Sequence, residues 1–301
     1  MLISAPQDSL PIDTYMAELA GQGVKVIKGE GDTYWVANEL GSLIRYPKFC
    51  TAPVSKSAIQ CLFNKTRAGI VNYVIDPNDD YPANSYVYTC NTYDVSTLCR
   101  ASRWNARYAF KKFAIGFMNW STILEHGVEA FCDTRARAGL SDGTTQQFKN
   151  AFDRFSENRS HFVIGAWAVE DRMLAGFLPV IVVDKWADIG SFSSNRYLKF
   201  RPSNGLIHYA LDYFLLHRGL NVVSYGVSSV QKSSMEGGLH EFKLRVGFEA
   251  KHVHRAFVFH PILRPLANRW TLRIMQTALK IAPHNRLLKK GVGSLATSLA
   301  R

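Results

Sequence analysis

The 301-residue sequence predicts an α+β fold with a mixed central sheet flanked by helices. Three observations predict it. From His161 onward, apolar residues recur with period two in runs joined by short polar turns, the pattern of neighbouring antiparallel strands. Those runs give way to a helix opened by a polar, glycine-containing turn and then to a further strand. Upstream, two stretches combine helix-start chemistry with apolar residues three and four apart.

Taken in order, residues 1–93 read as a small β-rich unit. Its runs GVKVIKG (23–29), TYWVANEL (33–40), GIVNYVI (69–75) and SYVYTCNTY (85–93) are separated by turn chemistry, most plainly DPNDDYP (76–82). A helix is expected from Asp94, whose carboxylate suits an N-cap. It would carry Arg100, Arg103, Arg107 and Lys111 at helical spacing, with Trp104 and Tyr108 one turn apart beside them. Thr122 with Glu125 and Thr144 with Gln147 spell capping boxes, the first before Leu124, Val128 and Phe131, the second before Phe148, Phe152 and Phe155. Strands follow in HFVIGAWAV (161–169), MLAGFLPVIVV (173–183) and WADIGSFS (186–193). Residues 201–220 form a helix with Leu206, Ala210, Tyr213 and Phe214 inside, and NVVSYGV (221–227) forms a strand. GLHEFKLRVGF (238–248) is a short helix turning through glycine into the last strand, EAKHVHRAFVFH (249–260).

This order resembles the GNAT N-acyltransferase fold. RPSNGLIHYALDYFLLHRGLNVVSYGV (201–227) followed by GLHEFKLRVGF looks like the C-terminal acyltransferase domain of the FemAB-like group. ASRWNARYAFKKF (101–113) is similar to the basic helix that group places before this domain. The resemblance implies an acyltransferase domain over 94–263, preceded over 1–93 by a degenerate half-domain and followed over 264–301 by a basic tail. It further implies transfer of an acyl or aminoacyl group to a primary amine of a cell-envelope, polysaccharide or related precursor. Acyl-CoA is the donor expected as co-substrate, with aminoacyl-tRNA the alternative, and no tightly bound cofactor is expected.

Residue by residue, Phe242 and Lys243 match the family's Phe-Lys pair, and Gly247 and Phe248 match the turn after it. Arg201, Pro202, Ser203, Asn204 and Gly205 match the turn that receives the donor's phosphates. Two departures stand beside these matches. The usual Gln or Arg followed by x-x-Gly-x-Gly or Ala is not met, which puts acetyl-CoA in doubt, and Ser224 stands where an Asp usually precedes the aromatic and the glycine.

Amine acylation passes through a tetrahedral oxyanion, and one donor that stabilises it is worth on the order of 3 kcal/mol of barrier. Lys243 suits that role, beside an apolar stripe of Leu239, Phe242 and Val246; the alternative is a lysine covering the edge of the core. The amine must also lose a proton, for which Tyr225, Asp188 and His208 are the candidate bases. The turn at Arg201, Ser203, Asn204 and Gly205 either binds phosphate at a helix N-terminus or is an ordinary turn. Arg103, Arg107 and Trp104 either grip a phosphate-bearing substrate or form a solvated face. His252 and His254 share one side of a strand, with His240 and His260 near in sequence, but no further ligand is spaced to join them and no metal is expected.

The net charge is +12, and two-thirds of it lies from Arg264 onward, where eight basic residues meet no Asp or Glu. RPLANRWTLRIMQTALKIAPHNRLLKK (264–290) reads as a basic amphipathic helix ended by Pro283, with Leu266, Trp270, Ile274, Ala278 and Ile281 on one side. Such a tail suits an anionic membrane or nucleic acid and supports a second reading, a catalytically silent binding module. Five cysteines with no C-x-x-C pair read as reduced thiols, and MLISAPQDSLPIDTY has no basic cluster leading into an apolar segment. A cytoplasmic protein, peripheral at the inner membrane face, is the expectation; the oligomeric state is left open.

Overall fold

A computed structural model describes residues 2–4, 9–38, 41–139, 144–229, 238–283 and 285–299. The chain forms two compact units that interleave in sequence. The first holds the segment ending at Tyr15 together with Tyr88–Gly226 and Gly238–Glu249. The second holds Met16–Val87 and the segments beginning at Val227 and Ala250. Composition divides the chain after residues 93 and 263, whereas compactness groups the start of the chain with its middle and the last strand with the tail.

The chain opens with α1 (Ile12–Gly21), β1 (Val26–Lys28), β2 (Tyr34–Ala37), β3 (Ser42–Tyr46), α2 (Lys56–Lys65) and β4 (Ile70–Ile75). The run predicted over 33–40 is thus a four-residue strand, and Glu39 and Leu40 lie outside the described residues. β1, β2 and β3 pair antiparallel, with Trp35 opposite Arg45. β3 and β4 pair parallel, Leu43 opposite Val71, which needs the crossover that α2 supplies. Ser55 caps α2 by accepting from the Ala58 N–H at 3.1 Å, and the helix lays Ile59, Leu62 and Phe63 on Trp35, Leu43 and Val71.

The first unit contains Tyr88 of β5 (Ser85–Cys90), then α3 (Arg100–Lys112), β6 (Phe113–Phe117), α4 (Trp120–His126), α5 (Val128–Arg137) and α6 (Thr145–Ser156). β7 (His161–Ala168), β8 (Leu174–Val183), β9 (Trp186–Ile189), β10 (Phe192–Ser193), α7 (Pro202–Leu211), β11 (Val222–Ser229) as far as Gly226, and α8 (Leu239–Arg245) complete it. β6, β7, β8 and β9 form an antiparallel meander, and β11 joins β9 in parallel with Ser224 opposite Asp188. This is the mixed sheet flanked by helices that the sequence predicts. Side chains alternate across it: Val163 and Trp167 face a cluster with Phe131, Phe148 and Phe152 of α5 and α6. Ile115, cross-strand from Ala166, lies on the opposite face and meets α7.

Helix starts differ from expectation at two places. Asp94 does cap, but it caps a 3-10 turn over Val95–Thr97, accepting from the Ser96 N–H at 2.7 Å; α3 begins only after Cys99. Thr122 lies inside α4, which starts after Asn119, so Thr122 and Glu125 form no capping box. The Trp120 indole donates to the His161 carbonyl at 3.0 Å and fixes this earlier start, and the helix ends at Gly127 before α5. Thr144 caps α6 as predicted, accepting from the Gln147 N–H at 3.1 Å.

The chain then returns to the second unit with β12 (Glu249–Phe259), antiparallel to β4, and with α9 (Arg269–Ile281) and α10 (Arg286–Leu299). The amphipathic helix expected over the tail is α9, which ends before Pro283 as predicted; a second helix, α10, follows it, and Leu266 stands in a 3-10 turn before both. Asn268 caps α9 and Met275 of α9 meets Gly291 of α10. Trp270, Ile274 and Ile281 share one face of α9 and are 75%, 66% and 83% exposed. Arg301 lies outside the described residues. Among the described residues no helix is long and apolar enough to cross a membrane.

Candidate active site

Lys243 is the most deeply buried residue of its short helix, 4% exposed, while Leu239 on the predicted apolar stripe is 51% exposed. α8 therefore turns its lysine inward. The ammonium donates to the Tyr225 carbonyl oxygen at 2.9 Å and lies 4.0 Å from the ring centre of Tyr88 and 4.6 Å from that of Tyr225. Burial lowers its pKa to about 8, against the opposing effect of the Asp188 charge. Phe242 beside it is half-buried. Gly247 ends the helix with φ 109°, and a Cβ there would stand 3.2 Å from the Tyr93 ring.

Tyr225 packs against Phe248 with ring centres 5.4 Å apart. Its hydroxyl is pushed up to about 12 by burial, with a hydrogen bond to the Ser191 side chain working the other way. A phenol so placed is protonated at neutral pH, which suits a proton donor rather than the base the sequence suggests. The Ser191 hydroxyl in turn donates to Ser203 Oγ at 3.3 Å, so a chain of hydroxyls runs from Tyr225 on β11 to the first turn of α7.

That first turn is unusual in its backbone. Arg201 sits in the left-handed region, φ 64° and ψ 43°, with Pro202 following at the first helical position. Such a conformation costs a non-glycine residue roughly 1–2 kcal/mol. Pro202 has no N–H to offer, and the N–H groups of Asn204 and Gly205 point back to the Arg201 carbonyl. Arg201 itself is exposed and Asn204 is buried. Gly205 lies under α3, where a Cβ would come within 2.8 Å of the Ala109 methyl and collide with Ile115.

On α3 the three residues singled out do not act alike. Arg103 is tied to the Ser96 carbonyl at 2.7 Å, whereas Arg107 is exposed. Trp104 is 58% exposed and stacks on Tyr108, the ring centres 4.9 Å apart and the planes 10° apart. Tyr108 continues to Phe200, over which Lys112 and Lys199 place their ammonium groups. This aromatic and cationic strip ends one residue before Arg201.

Of the other candidate bases, Asp188 acts on Lys243 by charge, and His208 is buried at 4% exposure. The Tyr93 hydroxyl is hydrogen-bonded to His208 Nδ1, and burial lowers the imidazole to about 4, so it is neutral. The four histidines near the last strand each meet an aromatic residue: His240 the Tyr88 hydroxyl at 2.8 Å, His252 Tyr86, His254 Tyr81 and His260 Phe63. Among the described residues no group of three or more His, Cys, Asp or Glu is placed to hold a metal ion.

No protein-family model matches the chain, and no curated protein matches its sequence. Solved structures do match. FemX has a TM-score of 0.56 at 12% identity, covering 84% of this chain and 93% of that one. A C-terminal DUF2156 domain from Agrobacterium fabrum has a TM-score of 0.54 at 13% identity, covering 91% and 92%. L-PGS from Bacillus licheniformis has a TM-score of 0.50 at 12% identity, covering 88% and 96%. At these identities the likeness is one of fold. The fold is a mixed α+β one, a central mixed sheet flanked by helices, of GNAT-like architecture.

Tyr88 and Ser191 are not singled out by the sequence, and His240 is named there only among the histidines weighed for a metal. Tyr88 is one alternating residue of a β-rich run, and Ser191 one of three serines in SFSS and its flank, so neither carries a local signal. Only the arrival of β5 and the β9–β10 turn beside α8 gives them a part.

Proposed function

We propose that the protein is an N-acyltransferase that moves an acyl or aminoacyl group from a thioester or tRNA donor to a primary amine of a cell-envelope, polysaccharide or related precursor. The observation that carries this reading is the ammonium of Lys243, held in a cage of two tyrosine rings within a GNAT-like fold. In the reaction the amine nitrogen bonds to the donor carbonyl carbon and the carbon–sulfur or carbon–oxygen bond breaks. The carbonyl oxygen is negative between those events, and a desolvated cation stabilises it more than a solvated one. The proton lost by the amine leaves for solvent or a nearby carboxylate, and the departing thiolate or alkoxide takes one up. The protonated Tyr225 hydroxyl suits that second transfer.

The donor enters this reading through Arg201 and Ser203, with Phe242 against its acyl part, while Asn204 and Gly205 shape the turn by giving their N–H groups to the Arg201 carbonyl. The strip of Trp104, Tyr108 and Phe200 offers stacking surface to a nucleotide base, with Arg103 and Arg107 on the same helix for its phosphates. No cofactor beyond the acyl-CoA co-substrate is invoked. The test is thermal denaturation with acetyl-CoA, longer acyl-CoAs and free CoA, followed by thiol release in the presence of amine acceptors. A saturable shift and turnover that Lys243→Ala abolishes, with folding intact, support the reading; unchanged turnover in that variant refutes the assigned role. If no CoA thioester shifts the transition, binding of aminoacyl-tRNA is measured next.

The exposed stripe of α9 favours an addition to this reading and also its rival. Trp270, Ile274 and Ile281 stand beside Arg269, Arg273 and Lys280, the composition of a helix that lies on an anionic membrane surface. The Agrobacterium match is ascribed to a lysylphosphatidylglycerol synthetase, which is in keeping with a protein working at the inner face of a membrane. The rival reading is a silent module that only docks there or on nucleic acid. Co-sedimentation with phosphatidylglycerol vesicles, weakened by salt and by Trp270→Ser with Ile274→Ser, supports membrane contact. Vesicle binding without donor binding of either kind leaves the rival.

A further inference from the structure

A cavity of about 450 Å³ opens in the second unit between the β1–β2 hairpin, the loop after β3 and helix α2. Its size lies within the range of small-molecule sites. One wall is Arg45, only 3% exposed. Its guanidinium donates to the carbonyl oxygen of Ala52 at 2.6 Å and to those of Cys50 and Val74, and lies 5.5 Å from the Tyr73 ring centre. Nε is buried with no hydrogen-bond partner among the described residues, and no carboxylate among them is paired with the charge. A buried cation without a counter-charge is costly, and an anion that reaches it recovers much of that cost. Lys28 and Lys65 line the same cavity, where Glu30 is the one acid, and Trp35, Val54 and Leu62 supply an apolar side.

We propose that this cavity binds a small amphipathic anion, its carboxylate or phosphate drawn to Arg45 and its apolar portion lying against Trp35, Val54 and Leu62. The planar guanidinium fits either head group. The site belongs to the second unit and is independent of the acyl-transfer reading.

Cys61, exposed on α2, lines the cavity and reports its occupancy. The experiment follows alkylation of Cys61 by iodoacetamide in the full-length protein, with peptides resolved by mass spectrometry and the exposed Cys99 as internal reference. Octanoate and octyl phosphate are expected to slow Cys61 several-fold and leave Cys99 unchanged, the head group effective at lower concentration identifying the preferred source. Octanol and inorganic phosphate are expected to protect poorly. Lys28→Gln with Lys65→Gln, both at exposed positions, is expected to weaken protection about tenfold. Ala58→Phe, which fills the cavity, is expected to abolish it with the melting transition retained. Equal protection by octanol, or none by either anion, overturns the proposal.

Discussion

The Lys243 ammonium donates to the Tyr225 carbonyl oxygen at 2.9 Å and stands 4.6 Å from the centre of the same residue's ring. One residue of β11 thus holds the cation by its backbone and shields it by its side chain. Burial lowers the lysine to about 8, so between that value and its ordinary 10.5 the unfolded chain binds a proton the folded chain does not. Stability therefore rises with pH across this window, by an amount on the order of 3 kcal/mol. Urea denaturation from pH 7 to pH 11 is expected to show wild type gaining on Lys243→Met, which keeps the apolar stem. A constant difference would mean the ammonium is solvated. Turnover is expected to fall above about pH 8 as the cation is lost, the opposite of a lysine acting as base.

His208 gives the mirror case on the acid side. Its folded value of about 4 lies below the ordinary 6.5, so its neutral burial is fully favourable above 6.5 and is lost as pH falls toward 4. The loss is on the order of 3 kcal/mol at most. His208→Gln is expected to flatten the stability profile between pH 6.5 and 4 while lowering stability at pH 7, measured by denaturant titration.

Gly205→Ala separates packing from ligand binding. The added methyl meets Ala109 and Ile115, and overpacking of this kind costs about 1–3 kcal/mol. A lowered melting temperature without any donor present is the expected result; unaltered stability would show that α3 yields.

Arg201 separates strain from function. Replacing it by glycine relieves the left-handed backbone, and a gain of about 1 kcal/mol is expected in urea. The same variant is expected to lose the thermal shift given by the acyl donor. A gain in stability with the shift intact would remove Arg201 from the donor site.

The legible parts of the molecule are those with a strong local signal. β7 and β8 are apolar runs bounded by turn residues, buried along almost their whole length rather than on alternate residues, and α6 announces itself by Thr144 with Gln147 ahead of three phenylalanines. α2 was hidden because Ile59, Leu62 and Phe63 are its only buried residues within a polar, cysteine-containing stretch. α4 and Leu239 misled for a shared reason: in a helix of seven residues, contacts from elsewhere decide which face turns inward. The Phe-Lys pair marked Lys243, yet the depth of its burial depends on Tyr88, more than 150 positions away in sequence. Cages of that kind leave no local trace.

The interleaving of the two units sets an order on synthesis. The residues of the first unit's phenylalanine cluster all precede Lys243 in the chain, and β4 has no β12 to pair with until residue 259 has been made. A chain stopped short of residue 250 lacks the partner strand of one unit, and one stopped short of residue 238 lacks the lysine of the other. No single cut between residues 88 and 249 releases either unit whole, so neither unit can be complete before residues 238–259 have been made.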